Sequence, residues 1–210
     1  MKKLFKYAGY LVLSGLALVS LYLANLFLMK PYSIDHYLAK ELTLSLLDSP
    51  EFMTYIGIFD PFNAILKHNQ RLSIDTLDDG EDDYKETLEH LQMLKKYNPN
   101  GLTDIQKVTQ KIAIFDTENG IDRFENFRFH SYPFNQISGN HLNVVEFMTD
   151  VHPIRNVKEA QAYIDRLNLF DDSFKATLEI LDEQKKAGIF PPKFVFDHII
   201  RQLEEFLNFK

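Results

Sequence analysis

Twenty-three consecutive uncharged residues, from Tyr7 to Met29, constrain this chain more than any other feature. As a helix rising 1.5 Å per residue they extend roughly 34 Å, enough to cross a bilayer core of about 30 Å. Lys2, Lys3 and Lys6 precede the run and Lys30-Pro31 ends it. The pattern predicts a membrane-spanning helix through residues 7–29, within an anchor or signal segment 1–30, followed by a soluble region 31–210. A secretory leader has a shorter apolar core and small residues at its exit, whereas Tyr22-Leu23-Ala24 puts a bulky ring where a small side chain belongs. An uncleaved anchor is therefore favoured over a cleaved signal, and a buried core helix is the weakest alternative. With the lysines inside, the positive-inside bias carries the remainder across. The expectation is a single-pass protein of the inner or cytoplasmic membrane with its soluble part periplasmic or extracellular.

The soluble part is acidic. Residues 1–30 hold four Lys and no acid, so removing that +4 from the overall −7 leaves −11 on residues 31–210. A nucleic-acid binder needs a basic face to neutralise phosphates, and no Lys/Arg run supplies one, so nucleic acid is not an expected partner. Cysteine is absent, which removes thiol nucleophiles, disulfides and thiolate metal sites. Eighteen Phe and ten Tyr without a Trp point to a core built on ring packing.

From Ser33 onward the periodicity is helical. Ile34, Tyr37, Leu38, Leu42 and Leu46 recur at three- and four-residue steps up to Asp48. Ser49-Pro50-Glu51 and Asp60-Pro61 each set a capping side chain before a first-turn Pro, predicting two short helices separated by Gly57. The acidic run Asp75 to Asp83 invites a calcium-loop reading, but Leu77 occupies a ligand position and Asp82 an apolar one, so a solvated helix start is favoured. That helix carries Tyr84, Leu88, Leu91, Leu94 and Tyr97 and stops before Asn98-Pro99-Asn100-Gly101. Thr103 with Gln106 forms a capping box, and Ile105, Val108, Ile112 and Phe115 supply the apolar stripe of the next helix, to about Glu125. Further helices are expected over Leu142 to Thr149, after the Asn156 cap with Ala160, Tyr163, Ile164 and Leu167, from Asp172 to Ala187 closed by Gly188, and through Phe196 to Leu207. The fold class is all-α: one amino-terminal spanning helix, then a multi-helix bundle with at most one short strand or hairpin, around Phe127 to Tyr132.

The stretch Phe127 to Gly139 is the one part that helical patterning does not explain, since Pro133 denies it a continuous helix. Its Tyr132 and Gln136, together with Arg166, are the candidate substrate-binding residues. Each also has a structural reading: Tyr132 as a core wedge, Gln136 and Asn135 as loop-bracing amides, Arg166 as half of an ion pair or a bidentate carboxylate clamp. No catalytic residue and no metal ligand set is found. The seven His, at 36, 68, 90, 130, 141, 152 and 198, never stand three or four residues apart, so no pair shares a helix face as zinc ligands. His130, His141 and His152, eleven apart, read instead as side chains satisfying backbone carbonyls at helix ends. Gly-x-Ser-x-Gly elbows and phosphate loops are missing as well.

Five short motifs in order complete the reading: Ser49-Pro50-Glu51 with Gly57, Tyr132-Pro133-Phe134-Asn135-Gln136 with Gly139, Val151-His152-Pro153, Ala162 to Leu167, and Ala187-Gly188-Ile189-Phe190-Pro191-Pro192. In this order the chain resembles, over roughly residues 33 to 208, the amino-terminal portion of the bacterial family called domain of unknown function 885. The resemblance implies an exported or membrane-tethered helical protein of the zinc-metallopeptidase-like kind, whose amino-terminal helices wall a substrate channel. The family's His-Glu-x-x-His motif has no counterpart here, so zinc is expected only with a carboxy-terminal part that is missing. The implied picture is a truncated or split product, or a fragment, inactive alone. Its partner would be a carboxy-terminal half carrying the zinc site. The alternative is a membrane-anchored interaction module that docks another envelope protein.

Overall fold

The computed structural model describes residues 2–208, and the side chains of residues 2–5 and 8 are outside the description; the Lys2 and Lys3 side chains on which the expected orientation of an anchor rests, and the last two residues of the region 31–210, therefore lie outside the described residues. Among the described residues every regular element is helical, and the segment 127–132 forms turns without a strand. The chain divides into two compact units, Met1–Ser45 with Glu89–Glu118 and Leu46–Leu88 with Asn119–Lys210.

The first unit begins with α1 (Lys2–Leu28). Its stretch Gly9–Leu28 has a mean hydropathy of 2.1 with almost none of it buried, so one amino-terminal helix is long and apolar enough to span a membrane. The turn leaving it is tied by Asn25, whose amide donates to Lys30 O (3.0 Å) and accepts from Tyr32 N (3.0 Å). The unit continues with α2 (Ile34–Leu47), the end of α5 (Leu77–Lys95) and most of α6 (Asp104–Phe127). Ile34, Tyr37, Leu94 and Tyr97 form its buried core, with Leu38, Met93, Leu102, Ala113 and Ile114 packed around them. Full burial of a side chain such as Ile34 contributes about 1.5–3 kcal/mol. The ring expectation holds only in part: Tyr37 and Tyr97 stand in this core, whereas no Phe among the described residues is buried; the Tyr37 hydroxyl bonds His90 Nδ1 (2.6 Å) and Tyr97 bonds Pro31 O (3.0 Å). Burial pushes the Tyr97 phenol up to about 12.

The capping box is present as read: Thr103 N donates to Gln106 Oε1 (3.0 Å) and Gln106 N to Thr103 Oγ1 (3.3 Å). The stripe on α6 is a correction. Ile105, Val108, Ile112 and Phe115 face outward, while Gln110 and Thr117 are buried beside Ala113 and Ile114. The reason is hydrogen bonding: α5 ends in carbonyls without helical partners, and the Gln110 amide caps two of them, Leu94 O and Tyr97 O, at 2.8 Å each.

In the second unit, α3 (Pro50–Ile56) starts on Pro and ends at Gly57 with φ 66, and the second short helix is split into a 3-10 turn (Asp60–Phe62) and α4 (Asn63–Leu66); neither Ser49 nor Asp60 makes the expected side-chain cap, Asp60 lying inside its turn. Thr76 and Asp79 cap α5 reciprocally, through Asp79 N to Thr76 Oγ1 (3.1 Å) and Thr76 N to Asp79 Oδ2 (3.1 Å), which accounts for an acid at the helix start. The expected helix over Leu142 to Thr149 is α7 (Asn140–Glu146), running into a π-helical turn, Phe147–Val151. Pro153 pushes His152 out of the helical region, and His152 N reaches back five residues to Phe147 O (2.9 Å). Asn156 caps α8 (Val157–Leu167), accepting from Lys158 N and Glu159 N. α9 (Phe170–Lys186) ends before Gly188 with φ 72, and α10 (Lys193–Leu207) closes the chain.

Replacing Gln110 by Leu strands the Tyr97 carbonyl just past α5 and leaves Leu94 O with Tyr97 N alone (3.3 Å), and the chain in detergent should lose about 1–3 kcal/mol by urea unfolding. Replacing the outward Ile112 by Gln should change stability little.

Candidate functional site

Within the second unit, the stretch 127–139 is held by its neighbours rather than by its own backbone ladder. The buried amide of Gln184 on α9 donates to Phe129 O (2.9 Å) and to Ser131 O. Asn135 braces the turn, accepting from Ile137 N (2.9 Å) and Ser138 N (2.8 Å), which is the loop role read from the sequence. Gly139 closes it in a space no side chain fits: a Cβ there would lie 2.7 Å from Asn135 N and 2.8 Å from Asn135 O. Asn140 N then donates to Pro133 O (2.8 Å) and its side chain to Thr177 Oγ1 (3.2 Å), fixing the start of α7 against α9.

Two grooves flank this stretch and share Asp75 and Asn140. One, of about 380 Å³, is lined by Glu51, Ser73, Asn143 and Phe147. The other, of about 360 Å³, is lined by Asp79, Asp83, Arg128, Tyr132 and Thr177. Their five acids, Glu51, Asp75, Asp79, Asp83 and Glu146, outnumber the one cation, Arg128. Burial, with Asp79 and Asp75 next, raises the Asp83 carboxyl above the usual range. Thr76 hydrogen bonds lower Asp79. Glu51 is already engaged, by Ser73 N (2.6 Å) and Ser73 Oγ (2.7 Å), and Arg128 by Glu81 and Leu77 O. No His lines either groove. The arrangement offers a negative, amide-rich surface that can hold a cationic or extended ligand; its hydroxyl–carboxylate contacts, Ser73 with Glu51 and Thr76 with Asp79, also engage the backbone N–H of the same hydroxyl residue.

The candidates from the sequence are not brought together. Tyr132 lines the second groove and its hydroxyl donates to Phe190 O (3.2 Å). Gln136 is half-buried and contributes its carbonyl to Gln202 Nε2 (3.2 Å). Arg166 is fully buried and meets no carboxylate of the expected ion pair. Its Nε donates to Arg71 O (2.6 Å), Nη1 to His152 Nδ1 (2.8 Å), and Nη2 to Thr54 Oγ1 (3.1 Å) and His68 O. The face of Phe147 lies 4.9 Å from the guanidinium carbon. Burial lowers its pKa to about 10, so it stays charged at neutral pH. His152 and His141 bond side chains, Arg166 and Gln202 (3.0 Å), in place of the expected carbonyls, and His130 is exposed. Asn140 and Thr177 were not singled out by the sequence, and Asp83 only as the end of an acidic run; no motif marks the group, because its convergence is a product of how α5, α7 and α9 pack.

The fold and grooves define an all-helical protein with a candidate membrane helix and a polar, acidic cleft. Residues 50–210 match the profile of the family described as bacterial protein of unknown function (DUF885), and the chain belongs to that family. No curated protein and no solved structure matches it.

Arg166→Met should cost about 3 kcal/mol or more, since it takes a charged donor from four acceptors, three of them on buried residues, and Arg166→Lys should recover only part because an ammonium lacks the fork. Gly139→Ala should also destabilise, by roughly 1–3 kcal/mol. The pH dependence has a definite sign. Burial lowers His68, against Asp60 and helped by Arg166 and Arg71; burial and then Arg166 lower His152. Above the ordinary imidazole value of about 6.5 neither state binds these protons, so stability is undiminished. Below it the unfolded chain protonates first and stability falls. Urea midpoints should drop between pH 7.5 and 5.5, and His152→Gln should flatten the drop.

Proposed function

We propose that this chain forms the substrate-channel portion of an exported, membrane-anchored, zinc-peptidase-like hydrolase, and that it binds polypeptide without cleaving it. The observation that carries the reading is the pair of acidic grooves joined at Asp75 and Asn140 beside the irregular Tyr132 segment. Asn140 and Thr177 supply amide and hydroxyl groups suited to a peptide backbone, and the acids favour basic side chains or a free amino terminus. Arg166 is a positioning residue, fixing the floor from which α8 and the π-helical turn rise. Zinc does not fit the described residues, among which no three His, Asp or Glu side chains converge on a common point. Metal-dependent chemistry is assigned to residues other than these. The anchor is α1, placed in the inner or cytoplasmic membrane with the grooves on the periplasmic or extracellular side.

A second reading, a membrane-anchored interaction module of the cell envelope, draws on one observation, the apolar face that α6 leaves uncovered.

The test is fluorescence anisotropy with a labelled basic peptide and the full chain in detergent. Saturable binding that weakens about fivefold in Asp83→Asn or Asn140→Ala supports the proposal. Because burial and like charges raise Asp83, Asp83→Asn should at the same time raise the Tm, separating lost affinity from lost folding. Absence of saturable binding overturns the channel reading, and hydrolysis of the peptide by this chain alone overturns the non-catalytic assignment.

A further inference from the structure

The outward face of α6 has the pattern of a pairing seam. Ile105, Val108, Ile112 and Phe115 follow at steps of three, four and three, and they are 81%, 57%, 56% and 64% exposed. Such steps are the a and d positions of a heptad, the spacing with which two helices interlock. The opposite face, through Gln110 and Thr117, is already committed to the first unit's interior.

The flanking charges choose the occupant and its direction. Asp104 is paired with Lys107 (3.0 Å) and Glu118 with Lys95 (2.8 Å), whereas Lys111 and Asp116 are exposed and have no ion pair among the described residues. With Ile105 and Ile112 at a, Lys111 is at g and Asp116 at the following e. In a parallel pair each g side chain faces the e side chain of the next heptad on the other strand, so two copies of α6 form two Lys111–Asp116 bridges. An antiparallel pair instead sets Lys111 against Lys111 and Asp104 against Glu118, all repulsive. We infer that α6 is a self-association surface and that its occupant is α6 of a second copy of this chain, in parallel.

The seam is short, roughly 15 Å from Ile105 to Phe115, and its four apolar side chains fall below the roughly 20–30 residues a side of a stable free interface. Confinement offsets this: α1 lies in the same unit, and two chains anchored in one bilayer meet at an effective concentration that a dilute solution does not reach. The strength of the pairing, though not its register, rests on the anchored reading.

The cysteine-free sequence permits a direct test on the full chain in membranes. Ile105→Cys or Ile112→Cys, mildly oxidised, should give disulfide-linked dimers at about tenfold the yield of Lys107→Cys, which lies off the seam. Lys111→Glu or Asp116→Lys in the Ile112→Cys background should each reduce the yield several-fold, and the double exchange should restore it. Equal linking at 107 and 112, preferential linking of 112 to a Val108→Cys copy, or failure of the double exchange to restore would each overturn the proposal. The last would point to lipid or a different protein on the stripe. A carbonate wash of the same membranes reports separately on the anchor, so loss of the chain to the supernatant would fail that reading while the cross-linking pattern still decides the seam.

Discussion

The second unit is organised around a charge taken out of water. Arg166 is enclosed completely, and no carboxylate touches it; two backbone carbonyls, a hydroxyl and an imidazole take its protons. These acceptors come from three separate pieces of chain: α3 through Thr54, the 3-10 turn His68–Gln70 with the adjoining Arg71, and the end of the π-helical turn at His152. Burying a cation among neutral dipoles is favourable only when its donors find acceptors in place, so the guanidinium specifies the positions of all three segments at once. Phe147, over the guanidinium face, links this centre to the groove it also lines. A residue that reads from sequence as a possible substrate clamp thus acts one layer beneath the surface that a substrate would meet.

Amides do comparable work elsewhere. Gln184 holds two carbonyls of the irregular stretch, Gln110 holds two at the end of α5, and Gln202 joins His141 to Gln136 O. In an all-helical protein the groups left over are helix-end and loop carbonyls, and a buried Gln, with two donors on one nitrogen, answers them in pairs. The expense is borne by apolar side chains displaced outward, as on α6, where the helix turns its amide inward and its isoleucines to the outside.

Local chemistry was legible before the structure. The capping box at Thr103, the Asn156 cap, the Pro starts, the glycines at 57 and 188 and the apolar run of α1 are decided by residues a few positions apart, so each could be read and each is present. Family membership was legible for a related reason, since ordered Pro, Gly and aromatic punctuation survives as linear text. The grooves were not. Asp75 reads as a helix-start acid and Asn140 falls in no motif, and only the packing of α5, α7 and α9 brings both to the lining of the same two grooves.

By itself the sequence determined the helical class, the apolar segment able to span a bilayer, most helix ends and the family, because periodicity, capping and hydropathy act over single turns. Tertiary structure alone decided which face of each helix is inside. On α6 the periodic stripe was real, yet two carbonyls sixteen and thirteen residues away, at and just past the end of α5, outweighed it. On α8 the inward residue is Arg166 rather than Ile164, because four acceptors converge there from distant segments. A hydrophobic pattern records which residues prefer company; the partners that compete for them are set by contacts between residues far apart in the chain.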